Sequence, residues 1–340
     1  MEKIRLGRSE MQATATAFGC LPLQRRPMDE VVLMLRKAAQ AGINYFDTAR
    51  MYSDSEEKLG EAFEGMRDGL YIATKSHHFT YDGVMEDIAI SLKNLRTDYV
   101  DLLQVHNPPF CPRPDGEDGV YKALLELKAA GKIRHIGITN HRLAIAKEAA
   151  QSGIYETLQF PFAYISSKQD FELVELCKQH DVGFIAMKPF AGGLLSNAAA
   201  SYYFYKQNPY VLPIYGFQFM DQLLEVLGFE DCPPAETEIA AVIEKDRKEL
   251  TGNFCRNCGY CQPCPLGIRV DLVTRMPYNL KRMPVASLLT PEWKDLIDAT
   301  ENCIQCGQCS SRCPYELDPP SRFEEVRRDF YRQYEAFTKK

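Results

Sequence analysis

No stretch of this chain approaches the roughly eighteen consecutive apolar residues that a membrane-crossing helix needs. Its opening, MEKIRLGRSEMQATATAFGC, does not join a basic start to an apolar run and a cleavage site. A cytoplasmic protein with no membrane partner is therefore expected. Lysine and arginine are dispersed, and the net charge of -6 is modest, so nucleic acid is not an expected partner either. Low-complexity segments and long linkers are also missing, and tryptophan occurs once, at Trp293. The 340 residues, 45% hydrophobic and 25% charged, are ordinary for a globular protein and enough for one large domain with a smaller one appended.

Cysteine is the exception. Twelve occur, and a disulfide framework would require a short exported chain. Cys20, Cys111, Cys177 and Cys232 are scattered and read as buried free thiols. The other eight form two runs, CRNCGYCQPCP at 255–265 and CIQCGQCSSRCP at 303–314. Steps of three residues in a tight loop let thiolates converge on the corners of one cubane, while a fourth cysteine followed by proline turns away. Zinc also accepts four thiolates, but zinc ribbons separate two C-x2-C knuckles widely. Three cysteines in consecutive steps of three with a fourth before proline, the whole repeated in a second run, favour iron and sulfide.

Up to about residue 216 the chain alternates short branched or aromatic runs with longer amphipathic stretches. ATAFGC, INYFDTA, LYIATK, VDLLQVH, IRHIGIT, ETLQF, VGFIAMK and YVLPIYG have strand length and composition. Segments such as DEVVLMLRKAAQAG and QDFELVELCKQHD lie between them with helical spacing. Eight strand-then-helix units predict an α/β fold, a parallel (β/α)8 TIM barrel over residues 1–250. Residues 217–250 read as helical and close it. Residues 251–340 form a small cysteine-rich domain ending in a helix, whose Phe323, Val326, Phe330, Tyr334 and Phe337 share one face that docks on the body.

In such a barrel the chemistry sits at the carboxyl ends of the strands. Three consecutive strands end at Asp47, Lys75 and His106, and Tyr52 lies in the loop just beyond Asp47. An ammonium beside a phenol favours the phenolate and draws the phenol's pKa down toward neutrality. A carboxylate would keep Lys75 charged and aimed, and His106 would hydrogen-bond a substrate oxygen. A buried salt bridge between Asp47 and Lys75 would be the purely structural account. Convergence of all four supports proton donation to an oxygen while hydride reaches the adjacent carbon. His77 and His78 follow Lys75 directly and read as pocket-lining or structural; His135, His141 and His180 carry no assigned role.

FDTARMYSDSEEKLG, IATKSHH, LLQVHNP, IRHIGITN, LQFPF and IAMKPFAGG resemble, in order, the signature segments of the aldo-keto reductase family over residues 1 to about 228. The resemblance implies that Tyr52 is the general acid, Lys75 and Asp47 its tuners, and His106 the orienting donor. It also implies a nicotinamide site: Thr139, Asn140 and Gln159 for the carboxamide, with Lys188, Gly192, Gly193, Gly216 and Glu225 in the loops that hold the rest. The cysteine runs resemble a bacterial two-[4Fe-4S] ferredoxin, in which the fourth cysteine ligates the other cluster. That implies Cys255, Cys258, Cys261 and Cys313 on one cluster, and Cys303, Cys306, Cys309 and Cys264 on its neighbour. The first run departs from the ferredoxin spacing by one residue before Cys264. As a whole the chain resembles a subgroup of aldo-keto reductases with a carboxyl-terminal ferredoxin-like domain.

Between Gly216 and Gly228 there is no lysine or arginine; Gln218 and Gln222 stand where basic residues usually grip the 2′-phosphate of NADPH. Tight NADPH preference is therefore not expected, and NADH or weak NADP binding stays open. A cluster carries single electrons whereas a nicotinamide exchanges a hydride. A flavin would reconcile the two, although no flavin motif is recognisable. The leading expectation is a reductase of a small carbonyl or related unsaturated substrate, linked electrically to its clusters and served by a ferredoxin or flavoprotein partner. The alternatives are a nicotinamide-dependent reductase with structural clusters, and an electron carrier with a vestigial barrel.

Overall fold

The computed structural model describes residues 1–24, 26–250, 254–283 and 285–338. The described chain forms two compact units, one comprising Met1–Phe190 and Asn197–Asp246, the other Ala191–Ser196 and Arg247–Lys340. Thr251, where the sequence reading begins the second domain, lies outside the described residues.

The first unit opens with a hairpin, β1 (Lys3–Arg5) and β2 (Gln12–Thr14), which the composition of the strands did not announce. There follow β3 (Ala17–Gly19), α1 (Met28–Gln40), β4 (Tyr45–Asp47), α2 (Ser55–Phe63), β5 (Tyr71–Ser76), α3 (Tyr81–Asn94), β6 (Val100–His106) and α4 (Val120–Ala129). The second half contains β7 (Ile133–Thr139), α5 (Leu143–Gln151), β8 (Thr157–Pro161), α6 (Lys168–Gln179), β9 (Gly183–Met187), α7 (Ala198–Lys206), β10 (Val211–Gly216) and α8 (Met220–Asp231). Strands β3 to β10 pair in chain order, and β10 returns to β3, closing an eight-stranded parallel barrel. The (β/α)8 expectation holds strand for strand, because the barrel strands are largely buried on both faces and read as short apolar runs.

Ile4, Leu6, Met11 and Ala13 of the hairpin pack against Ala17, Tyr45, Ala73, Leu102 and Leu212, residues toward the amino ends of barrel strands. The hairpin thus seals the bottom of the barrel, each large apolar side chain so buried contributing about 1.5–3 kcal/mol. Gly7, in the left-handed region, lets the hairpin come close: a Cβ there would stand 2.3 Å from the backbone nitrogen of Gly183. With the bottom sealed, the open end is the carboxyl end.

The passage between units falls within α9 (Glu236–Glu249). The second unit then contains α10 (Val270–Arg282), α11 (Pro291–Asp298), α12 (Gln308–Arg312) and α13 (Phe323–Thr338). Its core joins Val273, Met276 and Leu280 of α10 and Ile297 of α11 to Phe323, Val326 and Phe330 of α13. The apolar face read from the tail therefore docks inside this unit; Tyr334 packs at its edge and Phe337 is exposed. Arg275 of α10 is buried and donates through Nη2 to the carbonyls of Ala191 (3.1 Å) and Gly192 (2.7 Å).

Candidate active site and cysteine loops

Parallel register brings the sequence-read residues to one end of the barrel. Lys75 pairs with Gln104, His106 with Thr139 and Thr139 with Gln159 across adjacent strands. Lys75 Nζ donates to Asp47 Oδ1 at 2.5 Å and to the carbonyl of Thr48 at 2.6 Å, and both charged side chains are almost wholly buried. Asp47 Oδ2 accepts from Gln104 Nε2 at 3.1 Å, and Oδ1 from Gln159 Nε2 at 3.5 Å. Burial sets the Asp47 carboxyl above its ordinary value, with Lys75 pulling against it. Tyr52 sits beside this pair, its ring centroid 5.0 Å from Lys75 Nζ and 5.9 Å, edge-on, from the ring of His106. All four residues thus converge.

One expectation fails. The Tyr52 phenol is not drawn toward neutrality; burial foremost, and then the negative charge of Asp47, push its pKa well above the ordinary value. Lys75 spends its charge on Asp47, leaving a pair with little net field at the phenol, so desolvation wins. Tyr52 therefore keeps its proton at neutral pH. Burial and the neighbouring Lys75 lower the His106 pKa to about 3, so its imidazole is neutral. Its Nδ1 is buried with no hydrogen-bond partner.

Gln104, unassigned from the sequence, holds the second oxygen of Asp47. Its signal was present: it lies two residues before His106 on one strand and so shares that residue's face. The positions implied for a nicotinamide divide. Gln159 Oε1 is buried and unpartnered, an acceptor suited to a carboxamide N–H. Thr139 is buried beside it in register. Asn140 is already engaged, donating to Pro108 O at 2.9 Å and accepting from the Arg142 amide at 2.8 Å. Lys188, Gly192 and Gly193 all have positive φ, and Glu225 is exposed. A Cβ on Gly192 would come within 3.2 Å of Arg275 Nη1, whereas one on Gly193 would meet nothing; at Gly216 it would meet Pro22 at 2.9 Å. At the start of α8, Gln222 Oε1 accepts from the amides of Gln218 (2.8 Å) and Phe219 (3.2 Å), so these donors are taken before any phosphate arrives. Arg26, missed by sequence reasoning, stacks over the Phe219 ring at 4.8 Å and is paired with Glu30.

The cysteine runs line two cavities. One is bordered by Cys255, Cys258, Cys261 and Cys313; the other by Cys264, Cys303, Cys306 and Cys309, with Cys261 between them. The loops share a backbone path: Asn257 and Gln305, before the second cysteine of each run, have positive φ, as do Gly259 and Gly307 after it. Among the described residues, the group of three or more metal-binding side chains with ligand atoms within 4.8 Å of one another is His77, His78 and Asp87; no cysteine set meets that spacing. A lone zinc with bonds of about 2.3 Å would need thiolates about 3.8 Å apart. The donor set and the thiolate spacing fit a cluster better than a lone ion.

Residues 14–209 match the model of the aldo/keto reductase family. The chain belongs to that family. Residues 254–318 match a 4Fe-4S dicluster domain, and the protein is an oxidoreductase of this family carrying such a domain. The oxidoreductase YqkF of Bacillus subtilis is 30% identical over 210 residues, covering 58% of this chain and 67% of that protein. L-galactose dehydrogenase of Arabidopsis thaliana is 31% identical over 210 residues, covering 56% and 66%. The chain spans about half to two thirds of the length of these and other curated relatives. An aldo-keto reductase of Bacillus halodurans in its holo form shares the fold with a TM-score of 0.63 at 24% identity, covering 72% of this chain and 96% of that one. One from Klebsiella pneumoniae in complex with NADPH gives 0.61 at 22%, covering 72% and 95%.

Proposed function

We propose that this reductase reduces a carbonyl or related polarised group, with Tyr52 as proton donor, His106 as orienting donor and Lys75 and Asp47 as the pair that positions them. The observation that carries this reading is the convergence of a protonated phenol and a neutral imidazole on a buried Lys75–Asp47 pair. A neutral imidazole has one N–H to give a carbonyl oxygen, polarising it without transferring its proton. As negative charge develops on that oxygen it becomes far more basic than a ketone, and the Tyr52 O–H supplies the proton. Lys75 fixes the site's electrostatics by neutralising Asp47 rather than by ionising the phenol.

When bound, a nicotinamide supplies the hydride, and iron–sulfur clusters supply single electrons. Gln159 and Thr139 would hold the carboxamide, and the Gly192–Gly193 turn, Lys188, Gly216 and Glu225 the remainder. Gln222, occupying the α8 amides, favours NADH over NADPH. Cys255, Cys258, Cys261 and Cys313 would ligate one [4Fe-4S] cluster, and Cys303, Cys306, Cys309 and Cys264 the other, electrically linked to the barrel and to an external ferredoxin or flavoprotein. The two thiol-lined cavities support that division.

Tyr52→Phe tests the barrel chemistry: carbonyl turnover should fall by about 10²–10⁴-fold, with the clusters still reducible. Unchanged turnover would remove Tyr52 from the mechanism. Cys258→Ala tests the linkage: ferredoxin-driven turnover should stop. If the parent shows no ferredoxin-driven turnover and NADH-driven turnover survives in the folded variant, the clusters are structural. Anaerobic purification with release of any organic cofactor distinguishes a nicotinamide from a flavin.

A further inference from the structure

We propose that His77, His78 and Asp87 form a binding site for one divalent transition-metal ion of the zinc class, where β5 ends at the carboxyl face of the barrel. The two histidines directly follow β5, and Asp87 projects from α3. Their Nδ1 atoms lie 3.2 and 3.1 Å from the same oxygen, Asp87 Oδ2, and the rings stand 4.1 Å apart. All three ligand atoms fall within 4.8 Å of one another. Zinc bonds of about 2.0–2.2 Å to imidazole nitrogen and carboxylate oxygen place tetrahedral ligands about 3.3 Å apart. The observed N–O edges match that spacing.

The carboxylate is oriented from behind. Asp87 is buried, and Oδ2 also accepts from Ser76 Oγ at 2.7 Å and from the amides of His77 (3.0 Å) and His78 (3.4 Å). These hydrogen bonds fix the position and orientation of the carboxylate beneath the two rings. Capping of the loop explains the amide contacts, but not why two imidazoles both turn the same nitrogen to one oxygen. The rings are 40% and 46% exposed, which leaves room for water or a substrate oxygen on the remaining coordination positions. None of the three residues belongs to the Asp47, Tyr52, Lys75 and His106 group, and the site stands whether or not the proposed reduction does.

The test is calorimetric titration of zinc into the full chain loaded anaerobically with its clusters, with visible absorbance followed to verify that the cysteine thiolates stay occupied. One zinc should bind. His77→Ala and His78→Ala should each weaken it by at least about tenfold, and Ser76→Ala by about 10–100-fold through loss of the outer hydrogen bond. Anomalous diffraction at the zinc edge should place the ion between the two rings. The exposed histidines make these substitutions tolerable, whereas Asp87 also ties the loop and is left intact. Absence of binding, or equal affinity in the His77→Ala/His78→Ala double variant, would overturn the proposal.

Discussion

Replacing Lys75 with methionine isolates the electrostatic centre of the barrel. The ammonium 2.5 Å from Asp47 Oδ1 is lost, while the buried carboxylate keeps only the amides of Gln104 at 3.1 Å and Gln159 at 3.5 Å. Stripping a buried charge of its partner costs about 3–5 kcal/mol. For a domain of this size a kcal/mol corresponds to about 2–4 °C, giving a fall in melting temperature of about 6–20 °C. The variant can relieve the cost by protonating Asp47, whose carboxyl burial already raises. Without Lys75 it rises further, so the folded state retains a proton that the unfolded chain releases above about pH 4. More protons bound in the native state means that stability falls as pH rises, from the unfolded carboxyl's pKa up to the folded one. The deficit relative to the parent protein should therefore be larger at pH 8 than at pH 5. Adding Asp47→Asn should recover most of the loss, because no charge then remains unpaired. Thermal unfolding followed by far-ultraviolet circular dichroism at both pH values measures the parent protein and both variants. A deficit below about 1 kcal/mol at pH 8, or one that Asp47→Asn does not relieve, would refute this account of the pair.

His106 should give the opposite slope. Its pKa near 3, against about 6.5 when unfolded, means that the unfolded state binds the extra proton between those values, so stability rises with pH across that window. His106→Gln should remove up to about 1.4 kcal/mol per pH unit of that dependence, read as the difference between the two denaturation profiles. Arg275→Met should free the 191–196 turn: two hydrogen bonds from a charged donor, about 1.5–3 kcal/mol each, are lost. Amide exchange in Ala191–Ser196 should quicken by at least about tenfold, and unchanged protection would deny Arg275 that role.

Much of the architecture was legible. The eight barrel strands could be read because most are buried on both faces and concentrate apolar, branched or aromatic residues, and Asp47, Lys75 and His106 because they lie at the ends of consecutive strands. What escaped were helix α10, the β1–β2 hairpin and the buried polar contacts beneath α2. Helix α2 buries Glu56 and Lys58: Glu56 meets Arg50, Thr74 and Ser91, and Lys58 meets Asp54 and the Leu23 carbonyl. The helix itself is expected after the second strand, but apolar periodicity says nothing of these contacts. Helix α10 adds buried Arg275 and Asn279, hydrogen-bonded to each other and Arg275 also to Ala191, to an apolar face of Val273, Met276 and Leu280. The β1–β2 hairpin escaped because strands of three residues carry no period.

The sequence by itself determined the fold class, the family, and the two cysteine loops, since ligand spacing and the residue that ends each strand are properties of the linear chain. Only the tertiary structure decided the protonation of Tyr52 and His106. Those depend on how much water burial removes and on which charge Lys75 neutralises, distances between segments that no local pattern encodes.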